Sequence, residues 1–241
     1  MSVVKIPFIL AAAMANHIAL TPPQPPAATR ELAKDVSTTD SFFNASVKTM
    51  APFAKWLIWT ISICESAVLL ASEYPSHPLA ERILGTLTWG PSGHVARMGI
   101  TPSLAIGYGL AIAGGLIRWQ CYRTLGRLFT YEITVRSGHR LVTEGPYSVV
   151  RHPSYAAGMV MTVGIAICLA SPGSWVQESG VLTTTWGKVL AGTWSIWSTF
   201  LLAWLAIVRT TQEDQIVKKE FREQWEKWAA KVPYKLIPGI Y

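Results

Sequence analysis

Two short stretches carry the residue types that chemistry needs. The first, 139-HRLVTEGPYSVVRHPSY-155, gathers Tyr147, Arg151, His152 and Tyr155 around a proline. A residue before proline is biased toward extended backbone, and proline suits the first turn of a helix. The turn is therefore expected to present free backbone N–H groups at a helix N-terminus, where anions bind. The two tyrosines offer π-faces to a cation or a flat ring. A cofactor with a carboxylate, an aromatic base and a positive centre suits that combination. The same residues equally suit a plain anchor at lipid-headgroup level.

The second stretch holds Arg209 and Glu213, with Asp214 beside them. Residues four apart share a helix face. A guanidinium grips a carboxylate through two parallel hydrogen bonds, so Arg209 could hold a substrate carboxylate while Glu213 orients it or meets a cofactor charge. The bland alternative is an exposed salt bridge worth under about 1 kcal/mol. A third stretch, 117-IRWQCYRTLGRLFTYEI-133, adds Arg118, Tyr122 and Arg123, with Gly126 permitting a turn. It reads chiefly as basic residues at a membrane edge. Glu65 lies inside an apolar run. Such a carboxylate is functional by default, or it cross-links helices.

The elements that position these groups are apolar. The 241 residues are 50% hydrophobic and 15% charged, against about 25% charged in soluble domains. Mean hydropathy is +0.29. Eleven tryptophans fit membrane interfaces. The net charge of +7 is accounted for by basic cytosolic loops, so no nucleic-acid partner is expected. Cys64, Cys121 and Cys168 have neither metal-ligand spacing nor a disulfide framework, so no metal is expected.

A bilayer core of roughly 30 Å needs about 20 apolar residues in helix. Five segments qualify: 3–20, 50–72, 100–120, 155–171 and 184–208. The fold class is therefore all-α, a polytopic transmembrane bundle of about five spans. Segment 3–20 has an alternative reading as a signal peptide, with Lys5 as the basic region and cleavage near Ala13-Met14-Ala15. Segment 184–208 reads as one tilted span, or else as a tight hairpin. Gly107, Gly109, Gly114 and Gly115 mark the third span as a close-packing one. Loops 21–49 and 118–151 and the tail after 208 are rich in Lys and Arg, which puts them in the cytosol. Residues 212–231 read as one amphipathic helix that lies at the membrane surface or caps the bundle. Pro233 and Pro238 favour an extended end beyond it.

From about Gly115 to Tyr241 the chain resembles the isoprenylcysteine carboxyl methyltransferase family. The likeness rests on RTLGRLFTYEI, LVTEGPYSVVRHPSYAAG, the acidic pair Glu213-Asp214 and FREQWEKWAAKVPYKLIPGIY. The resemblance implies an N-terminal transmembrane region over 1–98 and a catalytic region over 99–241. It implies a cytosolic cofactor pocket capped by the C-terminal segment. It further implies methyl transfer from S-adenosyl-L-methionine to the C-terminal carboxylate of a prenylated (farnesyl or geranylgeranyl) cysteine in processed CaaX proteins. Eukaryotic members sit in the endoplasmic reticulum, with the site facing the cytosol and membrane lipid around the bundle. Cofactor contacts carried over are His139, Arg140, Leu141, Val142, Tyr147, His152, Pro153, Ser154 and Tyr155. Arg209 and Glu213 face the substrate side.

Some positions depart from the family pattern. Its double glutamate is Glu213-Asp214 here, its Phe-Gly in the tail is Phe221-Arg222, and a histidine is Tyr131. A glutamine that contacts cofactor in some members aligns near Thr134. Three rival readings share parts of the pattern. A phospholipid N-methyltransferase would use the same cofactor turn without a carboxylate to hold. A membrane sterol reductase would bind a nicotinamide cofactor and need a larger basic pocket. A non-enzymatic membrane scaffold would bind no cofactor.

Overall fold

A computed structural model describes residues 2–25, 38–89, 92–130 and 140–241. His139, Tyr131 and Thr134 lie outside the described residues. Among those described, every regular element is helical. The helices are α1 (Ile6–Ala19), α2 (Thr38–Glu73), α3 (Pro78–Leu87), α4 (Pro102–Leu125), α5 (Pro153–Ala170), α6 (Trp175–Glu178), α7 (Thr185–Trp204), α8 (Thr210–Phe221) and α9 (Glu223–Lys231).

Each of the five apolar segments is helix. Among the described residues, three stretches are long and apolar enough to cross a membrane: Lys48–Glu73, Pro153–Glu178 and Thr185–Phe221. Val3–Ala19 is apolar but shorter. Helix α4 has 24 residues, about 36 Å at ~1.5 Å per residue, but its glycines and arginines dilute its hydropathy. Segment 184–208 is a single run, not a hairpin: α7 continues through a π-helical turn, Leu205–Arg209, into α8. One expectation needs correcting, and a helix falls outside the five apolar segments. Helix α2 starts at Thr38, so residues 38–49 of loop 21–49 are helical. The stretch after Glu73 holds α3, which His77 caps by accepting the Leu79 N–H while Pro78 opens the first turn.

The chain divides into two compact units. One comprises residues 1–17, 53–113 and 160–199. Its core packs Ile9 and Ala13 of α1, Val68 and Leu69 of α2, Leu104 of α4 and Ile165 of α5. Helices α4 and α5 meet backbone to backbone at Gly107 and Gly164. A Cβ on Gly164 would lie 2.7 Å from the Gly107 carbonyl, closer than real side-chain contacts allow. Gly109, by contrast, faces open space. Lys5 is fully buried and pairs with buried Glu65. Its ammonium also donates to the Gly173 carbonyl at 2.7 Å. Glu65 is thus a cross-linking carboxylate. The lysine that a signal peptide would place in its basic region is packed inside this unit.

The other unit comprises residues 18–52, 114–159 and 200–241, and it holds the predicted site. A small core of Cys121, Val142, Tyr147, Trp228 and Val232, with Leu141 and Trp225 packed against it, ties the α4 end to the tail. The tail is two helices, not one. The break is Arg222, at φ 45° and ψ −113°.

Candidate functional site

The Arg-His-Pro turn is held by the tail. The Arg151 N–H donates to the Tyr234 carbonyl at 2.9 Å and the His152 N–H to the Lys235 carbonyl at 2.8 Å. The turn therefore does not offer these two groups to an anion, as its sequence suggested. The Arg151 side chain continues the seam, with Nη1 donating to the carbonyls of Val232 (3.0 Å) and Pro233 (2.7 Å). Pro233 and Pro238 stop helix, so residues 232–236 are non-helical and their carbonyls stay available.

Asp214 organises the cationic pair. Its Oδ2 accepts from Arg151 Nε (3.3 Å) and Nη2 (3.2 Å), and its Oδ1 lies 3.0 Å from His152 Nε2. All three side chains are largely buried. The other ring nitrogen, His152 Nδ1, stands 3.8 Å from Glu213 Oε2. Asp214 thus compensates the charge of Arg151 inside the protein, where a lone cation would be costly.

Tyr155 joins the two halves of the site. Its ring stacks on His152, with centroids 5.8 Å apart and planes at 16°. Its hydroxyl donates to Glu213 Oε2 at 2.7 Å and accepts from Arg209 Nε at 3.2 Å. Arg209 is 2% exposed, which rules out the surface salt bridge, whereas one third of the Glu213 side chain is exposed. Arg209 closes the π-helical turn. Such turns insert an extra residue into a helix and recur at functional sites.

The remaining predicted residues spread around this cluster. Pro153 and buried Ser154 open α5. Tyr147 is buried, and its carbonyl accepts from the Trp228 indole at 3.2 Å. Burial, with Cys121 and Glu213 nearby, pushes its phenol well above the ordinary value. Leu141 and Val142 belong to the small core. Arg140 stands at the surface, paired with Glu144 at 3.2 Å. Sequence reasoning placed no weight on Asp214 beyond its position, or on Arg151 as a structural tie. An acid adjoining Glu213 and an arginine adjoining His152 were the available signals.

The model of the isoprenylcysteine carboxyl methyltransferase family matches residues 106–186. Over that segment the chain is similar to the family. Protein-S-isoprenylcysteine O-methyltransferase B of Arabidopsis thaliana is 30% identical over 129 residues, 53% of this chain and 55% of that one. A probable protein-S-isoprenylcysteine O-methyltransferase of Oryza sativa subsp. japonica is 29% identical over 129 residues, 53% and 57% of the two chains. A Delta(14)-sterol reductase of Neurospora crassa is 28% identical over 124 residues, 45% of this chain and 25% of that one. The chain therefore spans a little over half the length of the methyltransferases it matches. No solved structure matches it.

Proposed function

We propose that this chain transfers a methyl group from S-adenosylmethionine to the C-terminal carboxylate of a prenylated cysteine in processed CaaX proteins. One observation carries the reading: buried Arg209 and part-exposed Glu213 share the Tyr155 hydroxyl, on the turn that the methyltransferase relatives' segment contains. This places a guanidinium suited to a substrate carboxylate beside an anion suited to a positive centre.

The donor set fits S-adenosylmethionine, which brings a sulfonium, an ammonium and a flat base. Glu213 offers an anion open to solvent, and the His152–Tyr155 stack offers aromatic surface. Gln212 Oε1 is a buried acceptor that no donor meets among the described residues, which suits a ligand rich in N–H groups. A 2′-phosphate of a nicotinamide cofactor fits less well, because Arg151 is committed to Asp214 and to the tail carbonyls.

A C-terminal carboxylate has a pKa near 3.5 and is ionised at neutral pH, so no general base is required. When bound, S-adenosylmethionine supplies a sulfonium methyl that passes to a carboxylate oxygen and leaves a neutral thioether. The protein's own part is placement. Arg209 would hold the carboxylate, and Tyr155 fixes the angle between Arg209 and Glu213. The tail over the Arg-His-Pro turn would keep water out. Orientation of this kind can supply roughly 7–11 kcal/mol of a barrier. The prenyl chain would enter from lipid, in which it is already dissolved. Basic loops on the site's side support a cytosolic face, and the endoplasmic reticulum is the expected membrane.

The test is radiolabelled methyl transfer to a minimal farnesylated cysteine, with phosphatidylethanolamine vesicles and NADPH binding run in parallel. Methylation of the farnesylcysteine alone supports the reading. Label in the phospholipid, or affinity for NADPH without S-adenosylmethionine, replaces it with one of the rivals.

A further inference from the structure

The geometry points to Arg118 as a positioning residue for this site. The inference rests on the function proposed above but concerns a side chain outside the candidate cluster. Arg118 is half-buried on the last turns of α4. Its Nη1 donates to both the carbonyl (2.8 Å) and the hydroxyl (3.0 Å) of Ser154, in the first turn of α5. Its Nε donates to the Ala19 carbonyl at the end of α1 (2.8 Å) and to the Tyr122 hydroxyl (2.9 Å). That hydroxyl also donates to the Ala19 carbonyl. One planar group therefore fastens three helices at a point next to Tyr155.

This fastening has a specific consequence. Ser154 precedes Tyr155, so Arg118, anchored through Nε and donating to Ser154 through Nη1, fixes how the first turn of α5 is rotated. That rotation sets where the Tyr155 hydroxyl stands between Arg209 and Glu213. Lysine cannot replace the fork, because Ala19 and Ser154 are reached by different nitrogens of a rigid plane. Gly158, one turn further along α5, leaves room for it: a Cβ there would already stand 3.4 Å from Arg118 Nη1. The tie also makes the end of α1, which lies outside the matched family segment, part of what holds the site.

The experiment is a double-mutant cycle of Arg118→Gln with Tyr155→Phe, read as kcat and KM for methyl transfer. It is paired with 19F NMR of 3-fluorotyrosine at position 155 in detergent. Arg118→Gln is expected to lower kcat on the order of 100-fold, the cost of a misplacement of about 1 Å. It should shift the fluorine line and add nothing further in the Tyr155→Phe background. Arg118→Lys should not rescue it. If Arg118→Gln does not fold, Gly158→Val crowds the same nitrogen, and it should shift the same line and lower kcat. Effects that multiply, an unmoved fluorine line, or full activity in Arg118→Lys would overturn the role. Absence of methyl transfer in the parent protein would instead overturn the proposed function, while the fluorine line still tests Arg118.

Discussion

Arg209 and Glu213 lie one turn apart, yet a third residue, Tyr155, supplied from α5, links them. A substrate carboxylate would have to displace or share that arrangement, so the two side chains should fail differently. Arg209→Ala is expected to lower methyl transfer about 100-fold or more, in line with losing a charged contact of the reacting group. It should leave S-adenosylmethionine affinity nearly unchanged by calorimetry. Glu213→Gln should do the reverse and weaken cofactor binding first. Equal losses of binding in both variants would show that the assignment of roles is wrong. At this scale the sequence drew attention to these residues but not to their wiring. The spacing of Arg209 and Glu213 suggested a direct pair, and nothing local says that a tyrosine 54 positions away joins Arg209. The backbone N–H groups of Arg151 and His152 looked free for the same reason, because their acceptors are more than 80 residues further on.

The helical tail is where an element departs from its pattern. A single amphipathic run covers 212–231, and periodicity alone cannot see a break in it. The break falls at Arg222, the one described non-glycine residue with positive φ. Its angles match the first central position of a type II′ turn, which glycine dominates. The family resemblance places a glycine at this position, so the physical signal was present in the sequence as a mismatch. An L side chain there costs roughly 1–3 kcal/mol. Arg222→Gly is accordingly expected to stabilise the protein by about 1 kcal/mol, after the loss of chain entropy that glycine brings. A rise in detergent thermal midpoint without a change in KM checks it. Helix α3 was missed for a different reason. It is short and flanked by polar residues, and only His77-Pro78 with Glu81 in the first turn marked it.

Across the whole molecule, apolar length was legible and long-range pairing was not. All five apolar segments are helices, because a run of that hydropathy can only satisfy its backbone internally. Glu65 stood out as a buried carboxylate, but its partner lies 60 residues earlier. The pair gives a test. Lys5→Met leaves Glu65 buried alone and is expected to cost about 3–5 kcal/mol. Adding Glu65→Leu should recover most of it, and thermal unfolding of the two variants decides. The pair also bears on how the chain is made. Lys5 emerges from the ribosome well before Glu65, and a lysine within the bilayer without a partner costs about 2.5–3.5 kcal/mol on insertion scales. Helix α1 should therefore integrate poorly alone and well when followed by α2, so that the first two helices enter the bilayer as a hairpin. Reporter-site glycosylation of fusions ending after residue 20 and after residue 75, compared in microsomes, measures the difference.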